Sequence, residues 1–143
     1  MSNIEFFYEE VDEINFNIDL LKRQAKFLVI NEKKELGNIS IVFCSDEYLL
    51  KINDEYLSHN YYTDIITFDY CENSVISGDL FISLDRISEN ARIFEVQFNE
   101  ELYRVIFHGL LHLVAYKDKT EAEKKVMRAK EDYYLKGMKF EGK

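Results

Sequence analysis

Residues Tyr103–Lys119 read Y-R-V-I-F-H-G-L-L-H-L-V-A-Y-K-D-K, and the rest of the chain is arranged around them. Val105, Ile106, Phe107, Leu110, Leu111, Leu113 and Val114 make a helix here apolar on nearly every side, which places it in the core rather than on the surface. Two of the chain's three histidines, His108 and His112, sit in it four residues apart. At 3.6 residues per turn, positions i and i+4 stack on one face, so both imidazoles point the same way. Asp118 follows six residues after His112, just past the end of the apolar run. Two imidazoles on a buried helix and a carboxylate on the next turn form a candidate three-ligand metal site.

The flanking sequence supplies the layers that bury this helix. Asn99 stands where a cap is needed, with Glu100 and Glu101 in the first turn, where acidic side chains favour the helix dipole. A final helix is expected from about Thr120, starting with Glu121 and Glu123 and turning Val126, Met127, Tyr133 and Tyr134 inward. Upstream, Asp85 can cap a helix through Ile87, Ala91, Ile93 and Phe94. Ile65–Tyr70 and Val75–Leu84 read as two strands whose short separation makes a hairpin. Gly78 inside the second marks a bulge or a close backbone approach.

Ser58–Asp64 is polar and aromatic and reads as a loop. Before it, Ser45 and Asp46 cap a helix carrying Tyr48, Leu49, Ile52, Tyr56 and Leu57. Ile39–Cys44 alternates and is β-branched, hence a strand, and Gly37-Asn38 signals a turn. Asn17 or Asp19 caps a helix to about Asn31 on which Ile18, Leu21, Ala25, Leu28 and Val29 repeat at helical spacing. Ile4–Tyr8 reads as the first strand. There is no proline, so boundaries rest on caps and glycines. This order predicts an α+β fold: a small mixed sheet of about four strands, helices packed on it, and a buried metal-binding helix.

At 143 residues the chain is expected to form one domain, 1–143, with a core of its own. A hydrophobic content of 47% with 31% charged residues places it among soluble globular proteins. No apolar run approaches the ~18 residues of a bilayer span. Met1–Glu5 lacks the basic and apolar regions of a signal peptide. Cys44 and Cys71 form no C-x-x-C pair and are expected to be reduced, half-buried residues of a cytoplasmic protein.

Of the 18 Lys and Arg and 27 Asp and Glu, nine and six fall in residues 117–143, so that segment carries +3 and the remainder −12. An acidic body does not draw nucleic acid by long-range attraction; RNA contact needs a local basic strip or a bound cation. Lys117, Lys119, Lys124, Lys125 and Arg128 are the candidate strip.

Histidines on apolar helices are often hydrogen-bonded core residues, and that reading stands beside the metal. Two at i, i+4 are harder to bury without partners. Tetrahedral zinc held by three protein groups keeps a fourth position for water, which it acidifies toward neutral pH, a catalytic rather than a structural arrangement. In zinc peptidases with H-E-x-x-H the glutamate beside the first histidine is the general base. Here that position is Gly109, which disfavours peptide cleavage.

The segment His108-Gly109-Leu110-Leu111-His112-Leu113-Val114-Ala115-Tyr116-Lys117-Asp118 resembles the H-G-x-L-H-L-x-G-Y-D-H signature of the YbeY family of bacterial single-strand endoribonucleases. Leu50–Asn53 with Tyr56, Thr63–Phe68, Gly78–Ser83, and Glu121, Glu123, Met127 and Glu131 match further family motifs in order, so the likeness covers about residues 38–135. The resemblance implies zinc on His108 and His112, with Asp118 where the family has a third histidine; nickel and manganese are less excluded by a carboxylate. It also implies action on ribosomal RNA in maturation and ribosome quality control, with ribosomal subunit proteins as partners.

Three departures stand out. Ala115 replaces a glycine suited to positive φ, and Tyr62 replaces a proline. Leu57 falls where many members carry an arginine that contacts RNA phosphate, a role leucine cannot fill. His59, two residues on, is the candidate catalytic cation or proton relay. Asp64 and Asp79 can accept hydrogen bonds from the ligands or shape the hairpin. The expected protein is a monomeric, cytoplasmic, metal-dependent endoribonuclease. The alternatives are a ribosome-associated assembly factor with a structural metal and a metal hydrolase acting on another substrate.

Overall fold

In the computed structural model the described residues are 3–58 and 63–138. Asn3–Glu9 (β1) leads through Ile18–Asn31 (α1) to Glu35–Cys44 (β2), then Asp46–Leu57 (α2), Ile65–Asp69 (β3) and Val75–Ser83 (β4). Leu84–Phe94 (α3), Phe98–Leu113 (α4) and Glu121–Leu135 (α5) complete the order. The strands lie in the order β1-β2-β4-β3. β1 and β4 run parallel to β2, and β3 runs antiparallel to β4, as expected of a mixed sheet containing a hairpin.

Period-two alternation gives the sheet two apolar faces. Ile39, Ile41 and Phe43 of β2 and Ile76, Leu80 and Ile82 of β4 belong to the main core with α1, α3, α4 and α5. Cys44, Ile66, Phe68 and Phe81 face the other way and are covered by Tyr48, Leu49 and Ile52 of α2. Ten of the sixteen residues of α4 are buried, Leu102, Ile106, Phe107, Leu110 and Leu111 among them, so this helix is the centre of the main core. Among the described residues no helix is long and apolar enough to cross a membrane.

Gly109 explains how α4 comes so close to the sheet. A Cβ there would lie 2.8 Å from Ile65 Cδ1 and 3.0 Å from Leu80 Cδ2. Gly78 lets β4 approach its neighbours in the same way, since a Cβ would stand 2.4 Å from the Phe68 carbonyl oxygen. Glu32, just past α1, ties that helix to the far side of the core. It accepts hydrogen bonds from the hydroxyls of Tyr116 (2.6 Å) and Tyr134 and from Lys130 Nζ (3.0 Å). Burial resists ionisation of Glu32, but these three donors outweigh it and hold its pKa below the usual value.

Several local expectations are corrected. Gly37-Asn38 lies inside β2 at a register shift against β4; the chain turns instead just after α1, where Lys33 adopts φ 67°. Ser83, not Asp85, caps α3. The Asp85 carboxylate instead accepts from the Asp46 N–H (2.8 Å), capping the neighbouring helix α2, because Ser83 already serves its own. Asn99 lies within α4, whose first residue follows Gln97, and its side chain donates to the Asn15 carbonyl. Val126 and Tyr133 are exposed, and the buried stripe of α5 is Met127, Glu131, Tyr134 and Leu135. Thr120 caps α5 as expected, in a reciprocal box with Glu123. Cys44 is fully buried and Cys71 half-buried, both as free thiols.

Two substitutions in and after α4 are expected to act in opposite directions. Gly109→Ala gains helix propensity but overpacks Ile65 and Leu80, for a net loss of about 1 kcal/mol. Ala115→Gly relieves a positive φ of 97° and is expected to add about 1 kcal/mol. Urea midpoints at unchanged slope would check both signs.

Candidate metal centre

The end of α4 builds the site. Past the capping residue Val114, the Ala115 N–H bonds the His112 carbonyl (3.0 Å) and the Tyr116 N–H bonds the Leu111 carbonyl (2.9 Å). This is the paired closure of a Schellman turn, which needs a residue at positive φ, here Ala115. The turn sets the Tyr116 carbonyl 3.0 Å from His112 Nδ1 and sends the chain back so that Asp118 meets the histidine face. His108 Nε2 lies 3.1 Å from His112 Nε2, and Asp118 Oδ2 lies 3.2 Å and 3.4 Å from the two nitrogens.

The hydrogen-bond partners decide which ring nitrogens face inward as lone pairs. A carbonyl only accepts, so His112 Nδ1 carries the hydrogen given to Tyr116. His108 Nδ1 donates in the same way to Glu131 Oε2 at 2.6 Å. With Nδ1 so engaged, it is Nε2 of each ring that is turned toward the Asp118 carboxylate, and a metal would meet its lone pair there. A proton on one nitrogen answers one of these contacts, whereas a single divalent cation answers all three. Ligands held ~2.0–2.1 Å from a tetrahedral ion stand about 3.3–3.4 Å apart, close to the three separations found here. The donor set fits a divalent metal.

Behind the donors lies a charged layer. Glu131 also receives Arg104 Nη1 (3.1 Å), and the other arm of Arg104 reaches Asp132 (2.8 Å). Burial opposes a charged His108, but the bond to Glu131 and the charges of Glu131, Asp118 and Asp64 prevail and raise its pKa. Burial likewise raises Asp64, with His108 and backbone N–H groups opposing. Glu101 is 4% exposed, and burial together with Asp64 pushes its pKa up to about 7 against the pull of Arg104 and Arg128.

Two cavities meet at the donors. One of about 460 Å³ is lined by Asn53, Leu57, Thr63, Asp64 and Thr67 as well as by His108, His112 and Asp118. The second, of about 320 Å³, shares Asp64, His108 and Asp118 and extends to Glu101, Lys124 and Arg128.

His108, His112 and Asp118, expected together from their spacing, are thus brought together. His59 and Tyr62 lie outside the described residues. Leu57 is on the cavity wall, and Asp64 lies beside the donors. Asp79 lines neither cavity; its carboxylate bonds the Tyr70 hydroxyl. Of the candidate basic strip, only Lys124 and Arg128 line either cavity, while Lys117 faces a separate groove with Ala122 and Val126. Sequence reasoning missed what Glu131 and Glu101 do. A signal existed for each: Glu131 falls on the inward stripe of α5 four residues after Met127, and Glu101 precedes His108 by seven residues on the same helix face.

A mixed sheet that buries a helix turning two imidazoles toward a carboxylate defines an α+β protein with a three-donor group able to hold a metal. Comparison with known proteins narrows the class. The model of the family described as Endoribonuclease YbeY matches residues 7–139. Endoribonuclease YbeY of Flavobacterium johnsoniae is 52% identical over 128 residues, covering 83% of this chain and 92% of that protein. The Porphyromonas gingivalis relative of the same description is 44% identical over 135 residues, 94% of this chain and 89% of its own. The chain belongs to the YbeY family. In fold it is similar to the solution structure of TM1509 from Thermotoga maritima, with a TM-score of 0.64 at 24% identity over 92% of this chain and 87% of the other.

Glu131→Gln, which keeps the volume but not the charge behind His108, is expected to lower zinc affinity about 10- to 100-fold in a chelator competition assay. Unchanged affinity would mean that Glu131 does not act through His108. Glu101 carries a second expectation. It is neutral in the fold up to about pH 7 but ionises near 4.5 when unfolded. The stability it confers is therefore complete below 4.5 and is lost as pH rises through 7. Relative to the native protein, Glu101→Gln should gain stability between pH 5 and pH 8, by about 1 kcal/mol once screening by solvent in the cavity is allowed for, read from paired thermal midpoints.

Proposed function

We propose that this chain is a metal-dependent endoribonuclease that cuts single-stranded segments of ribosomal RNA during maturation and ribosome quality control. The reading takes it as one domain over residues 1–143, acting as a cytoplasmic monomer on RNA presented with ribosomal subunit proteins. His108, His112 and Asp118 are assigned as ligands of one zinc ion, ahead of nickel or manganese. The observation that supports this best is the convergence of three donor atoms within 3.4 Å where two cavities meet, in a chain of this family.

When bound, such an ion supplies Lewis acidity toward a phosphate oxygen and acidifies water. The remaining work falls to the chain. Glu131 keeps a hydrogen on His108 Nδ1 and Tyr116 keeps one on His112 Nδ1, so both rings stay turned toward the reaction centre. Thr63 and Thr67 line the larger cavity and offer neutral polar groups to a ribose and phosphate. Burial raises the Asp64 pKa above the usual carboxylate value, with His108 opposing. Lys124 and Arg128 are the cations placed to meet a neighbouring phosphate. His59 is assigned the proton relay from its place in the sequence alone. Gly109 packs against Ile65 and Leu80, so the position that carries the base of a zinc peptidase is occupied by helix–sheet contact.

One observation favours a second reading, an assembly factor with a structural metal: Leu57 stands on the cavity wall where relatives of this pattern carry a cation. Single-turnover cleavage of a structured ribosomal RNA fragment separates the two. The zinc-loaded protein is expected to cut, and His112→Ala to lose the activity. Equal cutting by both would identify a contaminating nuclease and end the enzyme reading. Tight binding without cutting, with zinc retained, would establish the assembly factor.

A further inference from the structure

The smaller cavity has a make-up that the metal centre does not require. Phe94, at the end of α3, is 55% exposed, and it stands over the cavity with one face unused by the core. Asn90, one turn earlier on the same helix, lines the cavity beside it. Opposite, the Glu101 carboxyl makes no hydrogen bond or ion pair with any described residue, although the residue is almost wholly buried. Among the described residues no enclosed polar side-chain atom lacks a partner, so the Glu101 oxygens open onto the cavity. Val105 and Met127 give it an apolar wall, and Arg128 stands at the rim, only loosely paired with Glu131 at 3.8 Å.

An aromatic face, two hydrogen-bonding side chains and a cation around one cavity are the groups that hold an unstacked base and its phosphate. We infer that this cavity is a nucleobase pocket: it takes the base next to the scissile phosphate of single-stranded RNA, stacked on Phe94, with its edge read by Asn90 and Glu101. The inference builds on the ribonuclease reading and adds a base preference to it. Because the pocket shares His108, Asp118 and Asp64 with the larger cavity, a base held here puts the adjoining phosphate beside the three donors. It also shows how an acidic protein with leucine at position 57 can hold RNA, since stacking needs no cation. Arg104 takes no part, being spent on Glu131 and Asp132. With its pKa near 7, Glu101 is divided at neutral pH between a carboxylate that only accepts and an acid that also donates, whereas glutamine always offers both, so the exchange changes which base edge is matched rather than simply removing a contact.

The test uses zinc-loaded full-length protein in two arms. In the first, ribose 5-phosphate and the four nucleoside 5′-monophosphates are titrated while the Phe94 ring resonances are followed by NMR. The nucleotides are expected to bind about 5- to 150-fold tighter than ribose 5-phosphate, the range of one base stack. Phe94→Ala should erase that advantage, and Glu101→Gln should reorder the four bases. Phe94 is half-exposed, so its replacement leaves the core intact. Equal binding of ribose 5-phosphate and all four nucleotides, or no shift at Phe94, overturns the pocket.

In the second arm a randomised single-stranded RNA pool is cut and the fragment ends are sequenced. A base preference at one position beside the cut, flattened in Phe94→Ala, supports the inference. A preference unchanged in both variants overturns it and leaves the nuclease reading standing. Base-selective binding in the first arm without any cutting in the second keeps the pocket and removes the nuclease.

Discussion

Two imidazoles carried on a core helix and largely covered, with 23% and 30% of their side chains exposed, keep few bonds to water and must find partners in the protein. In this fold each ring resolves the problem at Nδ1, one on the buried carboxylate of Glu131 and the other on the carbonyl of Tyr116. Both Nε2 atoms are then left aimed at Asp118. The packing of α5, the closing turn of α4 and the path of the chain to residue 118 all follow from this requirement. Glu131 must arrive from α5, so that helix carries a charged residue on its buried stripe between Met127 and Tyr134. Arg104 then neutralises Glu131 from α4 itself.

The electrostatics run against the chemistry that a phosphate substrate needs. Asp64, Asp118, Glu101 and Glu131 all gather around His108, with Arg104 as the buried cation among them. Such a concentration of carboxylates suits a cation and opposes a phosphate. The fold moderates the repulsion by burial, which favours the neutral forms of Asp64 and Glu101. Thr63 and Thr67, which line the larger cavity beside Asp64, Asp69 and Asp118, and the exposed ring of Phe94 are contacts that do not depend on net charge.

Close packing has a cost at the site. Gly109 has no side chain, and only so can α4 lie against Ile65 and Leu80, which sets the height of His108 and His112 above the sheet. Ala115 does the reverse, holding a left-handed conformation that suits glycine better. That strain persists because the turn it closes positions the Tyr116 carbonyl for His112 and the Tyr116 hydroxyl for Glu32. Through Glu32 the end of α1 is joined to the same turn, so the metal group rests on three helices rather than one.

Periodicity and spacing were enough to read α4 as buried, β3 and β4 as a hairpin, and His108, His112 and Asp118 as one group. Those features are local: a 3.6-residue repeat, a short turn, and a carboxylate one turn beyond a helix. Local reading failed where partners come from elsewhere in the chain. Asp85 looked like the cap of its own helix and serves α2, and Gly37 looked like a turn and is a register shift against β4. Glu101 read as a first-turn acid favouring the helix dipole, and Glu131 only as one residue of a downstream motif. They become a buried acid and an imidazole partner only when α3, α4 and α5 close around His108. The sequence by itself determined which side chains could act as metal donors, because i, i+4 geometry belongs to any helix. Which ring nitrogen is turned to the other donors, and what lies beside it, was decided by the tertiary structure, since those depend on hydrogen-bond partners supplied by other elements.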